Sequence, residues 1–201
     1  MNTENVLNSG DFKKCLEFHG HLCPGLSLGY KAAKAGMKWL AANRASDEEV
    51  VAIAETDACG ADAIQVLTGC TFGKGNFIYK DFGKTAFTFF NRESGRGVRI
   101  ALKLDAASRD ERHQELIGKL RDGSANESER REFKKLHEKK SHEILGKPIE
   151  ALFNLKEVKI EAPPRAKMAP SKPCARCGEP TMATKLSEID GQMICRGCLL
   201  K

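Results

Sequence analysis

The feature that most constrains this chain lies at its C-terminal end. Cys174 and Cys177 form one C-x-x-C pair, a gap spans 178 to 194, and Cys195 and Cys198 form a second. Each pair is a short knuckle able to set two sulfurs on one ion, and the separation suits a tetrahedral four-thiolate zinc site. Between the knuckles, Met182 to Ile194 reads as a hairpin with Asp190-Gly191 at its turn. Large apolar residues are too few there to close a core, so bound zinc is expected to supply folding free energy, about 10–16 kcal/mol apparent in zinc-finger peptides. Two disulfides or two redox pairs are the competing readings. The polar start, Met1 to Gly10, lacks a signal-peptide apolar region, so a cytoplasmic, reducing setting is expected and thiolates on zinc are preferred.

The remaining sequence is long enough for a core domain. The expected division is a domain over 1–162, a proline-rich linker over 163–173 and the zinc module over 174–201. The linker carries Pro163, Pro164, Pro170 and Pro173 with almost no bulky apolar residue, which predicts a stiff, extended segment. Apolar residues make up 41% and charged residues 30%, a balance expected of a soluble globular protein; no apolar run approaches the roughly 20 residues that span a bilayer, so no membrane partner is expected. The net charge is +6, of which +4 falls after residue 162. Four thiolates on a zinc dication would remove about two of those units.

Helices are expected over Asp11–Phe18, Leu26–Ala42, from Asp62, over Ser108–Leu120, Glu127–Leu145 and Pro148–Phe153. Strands are expected over Val50–Ala54, Phe77–Tyr79, Ala86–Phe90, Val98–Leu104 and Leu155–Ile160. The fold class is therefore α+β, a mixed or antiparallel sheet with flanking helices, plus a small treble-clef or ribbon-like zinc module. Residues 108 to 143 mix ten Lys/Arg with nine Asp/Glu and read as two solvated helices with i,i+4 ion pairs.

Three segments could carry chemistry. His19-Gly20-His21-Leu22-Cys23-Pro24-Gly25 places two imidazoles and a thiol within five positions. Pro24 suits a first helical position, making Cys23 the N-cap, where the helix dipole favours a thiolate. Such a set is either metal-ligating or an activated nucleophile. Glu55-Thr56-Asp57-Ala58-Cys59-Gly60-Ala61-Asp62 follows the apolar strand directly; Cys59 is expected near a helix start, and Asp57 and Asp62 as metal ligands or proton carriers. Gly69 to Asn76 is glycine-dense. Its Gly73, Lys74, Gly75 and Asn76 are the candidate binders of an anionic cofactor, although it lacks the Lys-Ser/Thr pair of a Walker loop. Cys70 is a further candidate for the cluster, and Lys84 a second cation.

These segments in this order, His19 to Gly25, then Glu55-Thr56 with Cys59 and Asp62, then Thr68-Gly69-Cys70-Thr71 with Gly73 to Asn76, resemble the formylmethanofuran dehydrogenase E-subunit family over about residues 11 to 160. The resemblance implies an α+β core, a homodimer, a cleft holding the His and Cys groups, and a link to tungsten- or molybdenum-dependent one-carbon metabolism, with a larger oxidoreductase complex as a partner. It transfers metal binding first to His21, Cys23 and Cys59, with His19, Asp62 and Cys70 behind them.

The leading expectation is a metalloprotein with structural zinc on Cys174, Cys177, Cys195 and Cys198 and a second transition metal, zinc first, in the core. There Cys23, Cys59, His21 and Asp62 are the catalytic candidates. A metal carrier or accessory protein of a larger enzyme is the non-enzymatic alternative. Nucleic-acid or transcription-related binding through the zinc module is the second alternative, disfavoured because the tail has no Phe, Tyr or Trp after Phe153 on which bases could stack, so nucleic acid is not an expected partner.

Overall fold

The computed structural model describes residues 2–106 and 110–200. The chain forms two compact units that divide after Pro164. The first begins with helices α1 (Thr3–Leu7), α2 (Gly10–His19) and α3 (Pro24–Leu40), followed by strand β1 (Val50–Ala54) and helix α4 (Gly60–Thr68). Strands β2 (Phe77–Tyr79), β3 (Ala86–Asn91) and β4 (Gly97–Leu102) come next. Then follow helices α5 (Glu111–Arg121), α6 (Glu127–Gly146) and α7 (Ile149–Leu152), and strand β5 (Phe153–Val158).

The five strands form one mixed sheet in the order β2-β1-β3-β4-β5. β1 runs parallel to β2 and antiparallel to β3, and the remaining pairs are antiparallel. Every residue of β1 is buried, as its unbroken apolar run requires of a central strand covered on both faces. Val50, Ala52 and Ala54 point toward the helices and join Ala32, Ala33, Ile64, Phe87 and Phe89 in the main core. Val51 and Ile53 point the other way and meet Phe90, Ile78 and Ile160.

Helix ends follow local chemistry. Ser9 caps α2 by accepting from Phe12 N, and Gly20 ends it at φ 91°, a conformation that favours glycine. Cys23 caps α3 through its sulfur, with Pro24 as the first helical residue, as expected from the sequence. α3 and α4 cross at backbone contact: a Cβ on Gly29 would lie 2.2 Å from Gly60 O. Glycine at that crossing lets the first turns of the two helices converge.

Most boundaries shift by one to three residues from expectation: α3 runs Pro24–Leu40 rather than Leu26–Ala42, α4 starts at Gly60 rather than Asp62, and β4 ends at Leu102 rather than Leu104. The last strand starts at Phe153 rather than Leu155, because Phe153 and Leu152 are drawn into the core beside β4. The helix expected from Ser108 begins at Glu111 under an Asp110 cap, and Ser108 itself lies outside the described residues. The charged pair α5–α6 carries i,i+4 contacts such as Arg131–Glu127. It is also tied across the pair by Arg112–Glu132 at 2.6 Å and by Lys119–Glu129.

The second unit contains β6 (Ser171–Pro173), β7 (Pro180–Met182), a 3-10 turn (Ala183–Lys185), β8 (Leu186–Ile189), β9 (Gln192–Cys195) and α8 (Arg196–Leu199). The last three residues of the proline-rich segment thus pair as a strand with β7. β8 and β9 form the hairpin, with Asp190 (φ 49°) and Gly191 (φ 77°) both left-handed at its turn. Among its described residues only Cys174 and Ile194 are buried. An apolar core of that size cannot hold a fold together. No helix among the described residues is long and apolar enough to cross a membrane.

Candidate metal centres

In the second unit the sulfurs of Cys174, Cys177, Cys195 and Cys198 lie within 4.8 Å of one another. Cys174 belongs to the first knuckle, Cys195 precedes α8 and Cys198 sits inside it. Backbone N–H groups of Cys177 and Cys195 point at the Cys174 sulfur and hold its pKa down at about 6. Cys198 is pushed up to about 12, first by the neighbouring Cys195 and Cys177 thiols. Four sulfurs this close cannot all ionise without a cation between them, so the donor set fits a metal ion.

In the first unit His19, His21 and Cys23 also place one ligand atom each within 4.8 Å of the others. The C-terminal end of α2 delivers His19, the turn after Gly20 delivers His21, and the α3 N-cap delivers Cys23. His19 is held at both nitrogens. Its Nδ1 lies 2.7 Å from Asp62 Oδ2, and its Nε2 lies 3.5 Å from Cys23 Sγ. A carboxylate behind the outer nitrogen of a histidine fixes the tautomer and turns the inner nitrogen toward a ligand; metal-bound histidines almost always have such a partner. Asp62 therefore stands behind His19, separate from the three-atom set. His21 lies against His19 with centroids 4.5 Å apart and the rings tilted by 36°, and it is exposed.

Cys59 flanks Cys23. A Cβ on Gly25 would lie 3.0 Å from Cys59 Cβ, and the Cys59 thiol is near enough to Cys23 to raise its pKa. The close crossing of α3 and α4 thus brings together two cysteines 36 positions apart. Sequence reasoning missed this crossing; the i,i+4 glycines Gly25 and Gly29 were the available signal for it.

The expectation that the helix dipole favours a Cys23 thiolate is corrected. Burial pushes this thiol up to about 11, outweighing the Leu26 N–H that points at the sulfur 3.2 Å away. Cys23 is 2% exposed, and removal from water costs the anion more than one helix end returns.

Cys70 does not join the centre. It is fully buried in the main core, its thiol donates to Val50 O at 3.2 Å, and burial pushes it up to about 11. Cys23, by contrast, packs in a separate cluster with Cys15, Leu26 and Tyr30. The anion cradle expected at Gly73 to Asn76 is also corrected, because its donors are used within the protein. Lys74 Nζ donates to the carbonyls of Asp47 at 2.8 Å, Ser46 at 3.3 Å and Ala45 at 3.4 Å. Asn76, with no exposure, donates to Asp47 O and Val50 O and accepts from Thr71 N. Gly75 N and Lys74 N bond to Phe72 O and Thr71 Oγ1, and Gly73 adds only an open, side-chain-free position. The loop fastens the segment before β1 to the segment before β2.

Two features escaped sequence reasoning. Glu55, buried at the end of β1, makes a two-pronged pair with Arg99 of β4, at 2.6 Å and 2.8 Å. The strand register supplies it, aligning Ile53 with Thr88 and Thr88 with Arg99, and no local pattern encodes a register across three strands. The second is a ring cluster on the α5–α6 pair, the buried His113 with the half-buried Phe133 and His137. The periodic spacing of His113 and Leu116 on the inner face of α5 was its one available signal.

Comparison with known proteins identifies the family of the first unit. The family model described as "FmdE, Molybdenum formylmethanofuran dehydrogenase operon" matches residues 18–154, which include His19, His21, Cys23, Cys59 and Asp62. A protein of Archaeoglobus fulgidus described as a "Probable S-adenosyl-L-methionine-binding protein" is 33% identical over 181 residues, 86% of this chain and 49% of that protein. The chain thus spans about half the length of this curated relative. A crystal structure of a tungsten formylmethanofuran dehydrogenase FmdE-like protein from Syntrophus aciditrophicus superposes with TM-score 0.60 and 24% identity. It covers 97% of this chain and 95% of that one, a likeness of fold. With a His/Cys cluster inside the matched segment and four clustered cysteines beyond it, this chain belongs to the FmdE family.

Proposed function

We propose that this chain is a protein of two metal centres: a closed structural zinc on Cys174, Cys177, Cys195 and Cys198, and an open transition-metal centre, zinc first, on His19, His21 and Cys23 with Cys59 beside it. One observation carries the core centre. Asp62 holds His19 by Nδ1 so that Nε2 faces the Cys23 sulfur. A cation there would also supply the charge that a buried Cys23 thiolate lacks. Three protein ligands leave a position for an oxygen ligand, and a metal so held supplies Lewis-acid polarisation. The chain's own residues orient the donors, and Cys59 provides a neighbouring thiol. The family description supports a place in molybdenum- or tungsten-linked one-carbon metabolism, and we take the chain to act there as a cytoplasmic homodimer beside a larger oxidoreductase.

The experiment is metal content per chain, for the native protein and for His19→Ala/Cys23→Ala. Two ions falling to one supports the core centre. One ion in both rejects it.

The exposed His21 and the part-exposed Asp62, 34% at its side chain, favour a second reading as a metal carrier. Rapid transfer of the core ion to an apo acceptor, without turnover of small molecules, would select it. S-adenosylmethionine, named for the relative of twice the length, is not adopted. A groove of about 740 Å³ over α3 is rimmed by Lys14, Lys34, Lys38 and Arg44 against Asp11, a charge that opposes a sulfonium.

A further inference from the structure

The groove over α3 has no place in the metal reading, because none of His19, His21, Cys23 and Cys59 lines it. Its volume of about 740 Å³ falls within the roughly 300–1,000 Å³ of sites that bury a small ligand. Much of the lining is apolar. Tyr30, Ala33 and Met37 recur at helical spacing on α3, and Val66 and Leu67 join them from the last turn of α4.

Five cations and one anion also line the groove, Lys14, Lys31, Lys34, Lys38 and Arg44 against Asp11. Two of the cations are used within the protein. Lys31 Nζ donates to Leu145 O and Lys147 O, and Lys34 Nζ neutralises Asp11 at 2.7 Å. The other three are uncompensated. Arg44 donates from Nε to Val66 O at 2.9 Å, which leaves its two terminal NH2 groups without a partner among the described residues. Lys14 and Lys38 are exposed and have no hydrogen bond or ion pair among the described residues. A cleft lined by one sign of charge between low-dielectric walls concentrates the opposite ion.

The backbone at the end of α3 is shaped to the same result. The helix stops at Ala41, held left-handed at φ 50° and ψ 37°, a conformation that is costly for a residue with a Cβ. The reversal there returns Ala42, Asn43 and Arg44 to the groove, and the Arg44–Val66 bond pins it to α4. Strain of this kind gathers at ligand sites. We propose that the α3 groove binds a small amphipathic organic anion, its apolar body along Tyr30, Met37 and Leu67 and its anionic head among Lys14, Lys38 and Arg44. The occupant is a small molecule rather than a second copy of the chain.

The test is calorimetric titration of the full chain with decanoate as the probe. One decanoate per chain should bind, at least about tenfold more tightly than decyltrimethylammonium, which has the same tail and the opposite charge. Inorganic phosphate, which has no apolar body, should give no measurable binding. Lys14→Glu/Lys38→Glu should weaken decanoate about tenfold or more and keep the unfolding midpoint, since neither lysine has a partner to lose. Lys134→Glu/Lys135→Glu, the same charge change at exposed positions of α6, should leave decanoate affinity unchanged. Absence of decanoate binding overturns the proposal, as does equal affinity for the cationic tail or unchanged affinity in Lys14→Glu/Lys38→Glu. Decanoate affinity that falls as protein concentration rises overturns it too, because a second copy would then cover the groove. Metal content plays no part in these measurements, so the groove and the metal centres stand or fall separately.

Discussion

Gly29→Ala tests the crossing on which the core centre depends. In most helix interiors this change stabilises by about 1 kcal/mol, because alanine loses less backbone freedom than glycine. Here the added Cβ would lie 2.2 Å from Gly60 O, 2.5 Å from Gly60 Cα and 2.7 Å from Gly60 C. All three are backbone atoms and cannot rotate aside. Restoring an ordinary contact of at least 3.4 Å requires α3 and α4 to separate by about 1 Å. Overpacking of this kind costs about 1–3 kcal/mol, and the rigidity of backbone puts this case at the upper end. The net change is a loss of about 1–2 kcal/mol. For a protein of this size that lowers Tm by about 2–8 °C. Gly118 is the control, an exposed helical glycine of α5 with nothing within 4 Å of a built Cβ. Gly118→Ala should raise Tm by about 1–4 °C. Thermal unfolding followed by circular dichroism reads both. Opposite signs support the reasoning. A Gly29→Ala variant as stable as Gly118→Ala would show that α3 and α4 do not meet at backbone contact, and the convergence of Cys23 and Cys59 would go with it.

Asp62→Asn keeps the shape behind His19 and removes the charge; core metal affinity should fall about 10–100-fold in a chelator competition, with the tail ion retained. Cys177→Ser should release the tail ion and expose residues 165–200 to proteolysis, while the first unit keeps its unfolding midpoint. Cys70→Ala should cost stability in urea unfolding, from a lost buried side chain, and leave the metal count unchanged. The Glu55 carboxyl is held below its ordinary 4.5, first by its bonds to Arg99, so its contribution is complete above about pH 4.5 and disappears as pH falls through the lowered value. Glu55→Gln should therefore lose stability at pH 7 and show a shallower acid limb in unfolding free energy against pH; an unchanged acid limb would refute the pairing.

How much was legible in the sequence follows the range of the interactions involved. The Cys23 cap with Pro24 behind it, the apolar β1 run and the Asp190-Gly191 hairpin were readable because each is decided within a few residues. The two knuckles were readable because ligand spacing is itself local. By itself the sequence determined the α+β class, the four-cysteine module and the candidates His19, His21, Cys23 and Cys59. Tertiary structure decided which candidates meet. Cys70 and Cys23 are both buried thiols, yet one packs in the main core and the other in the cluster beside α2, a choice made by the elements each segment joins: Cys70 follows α4, and Cys23 caps α3 after α2. Asp62 became a support for His19, Lys74 a fastening for three carbonyls, and Arg99 the partner of Glu55, because helix crossing and strand register bring together groups that no short pattern links. Burial then reversed the Cys23 expectation: helix position favours its thiolate, but the depth of the packed core sets the cost of the charge.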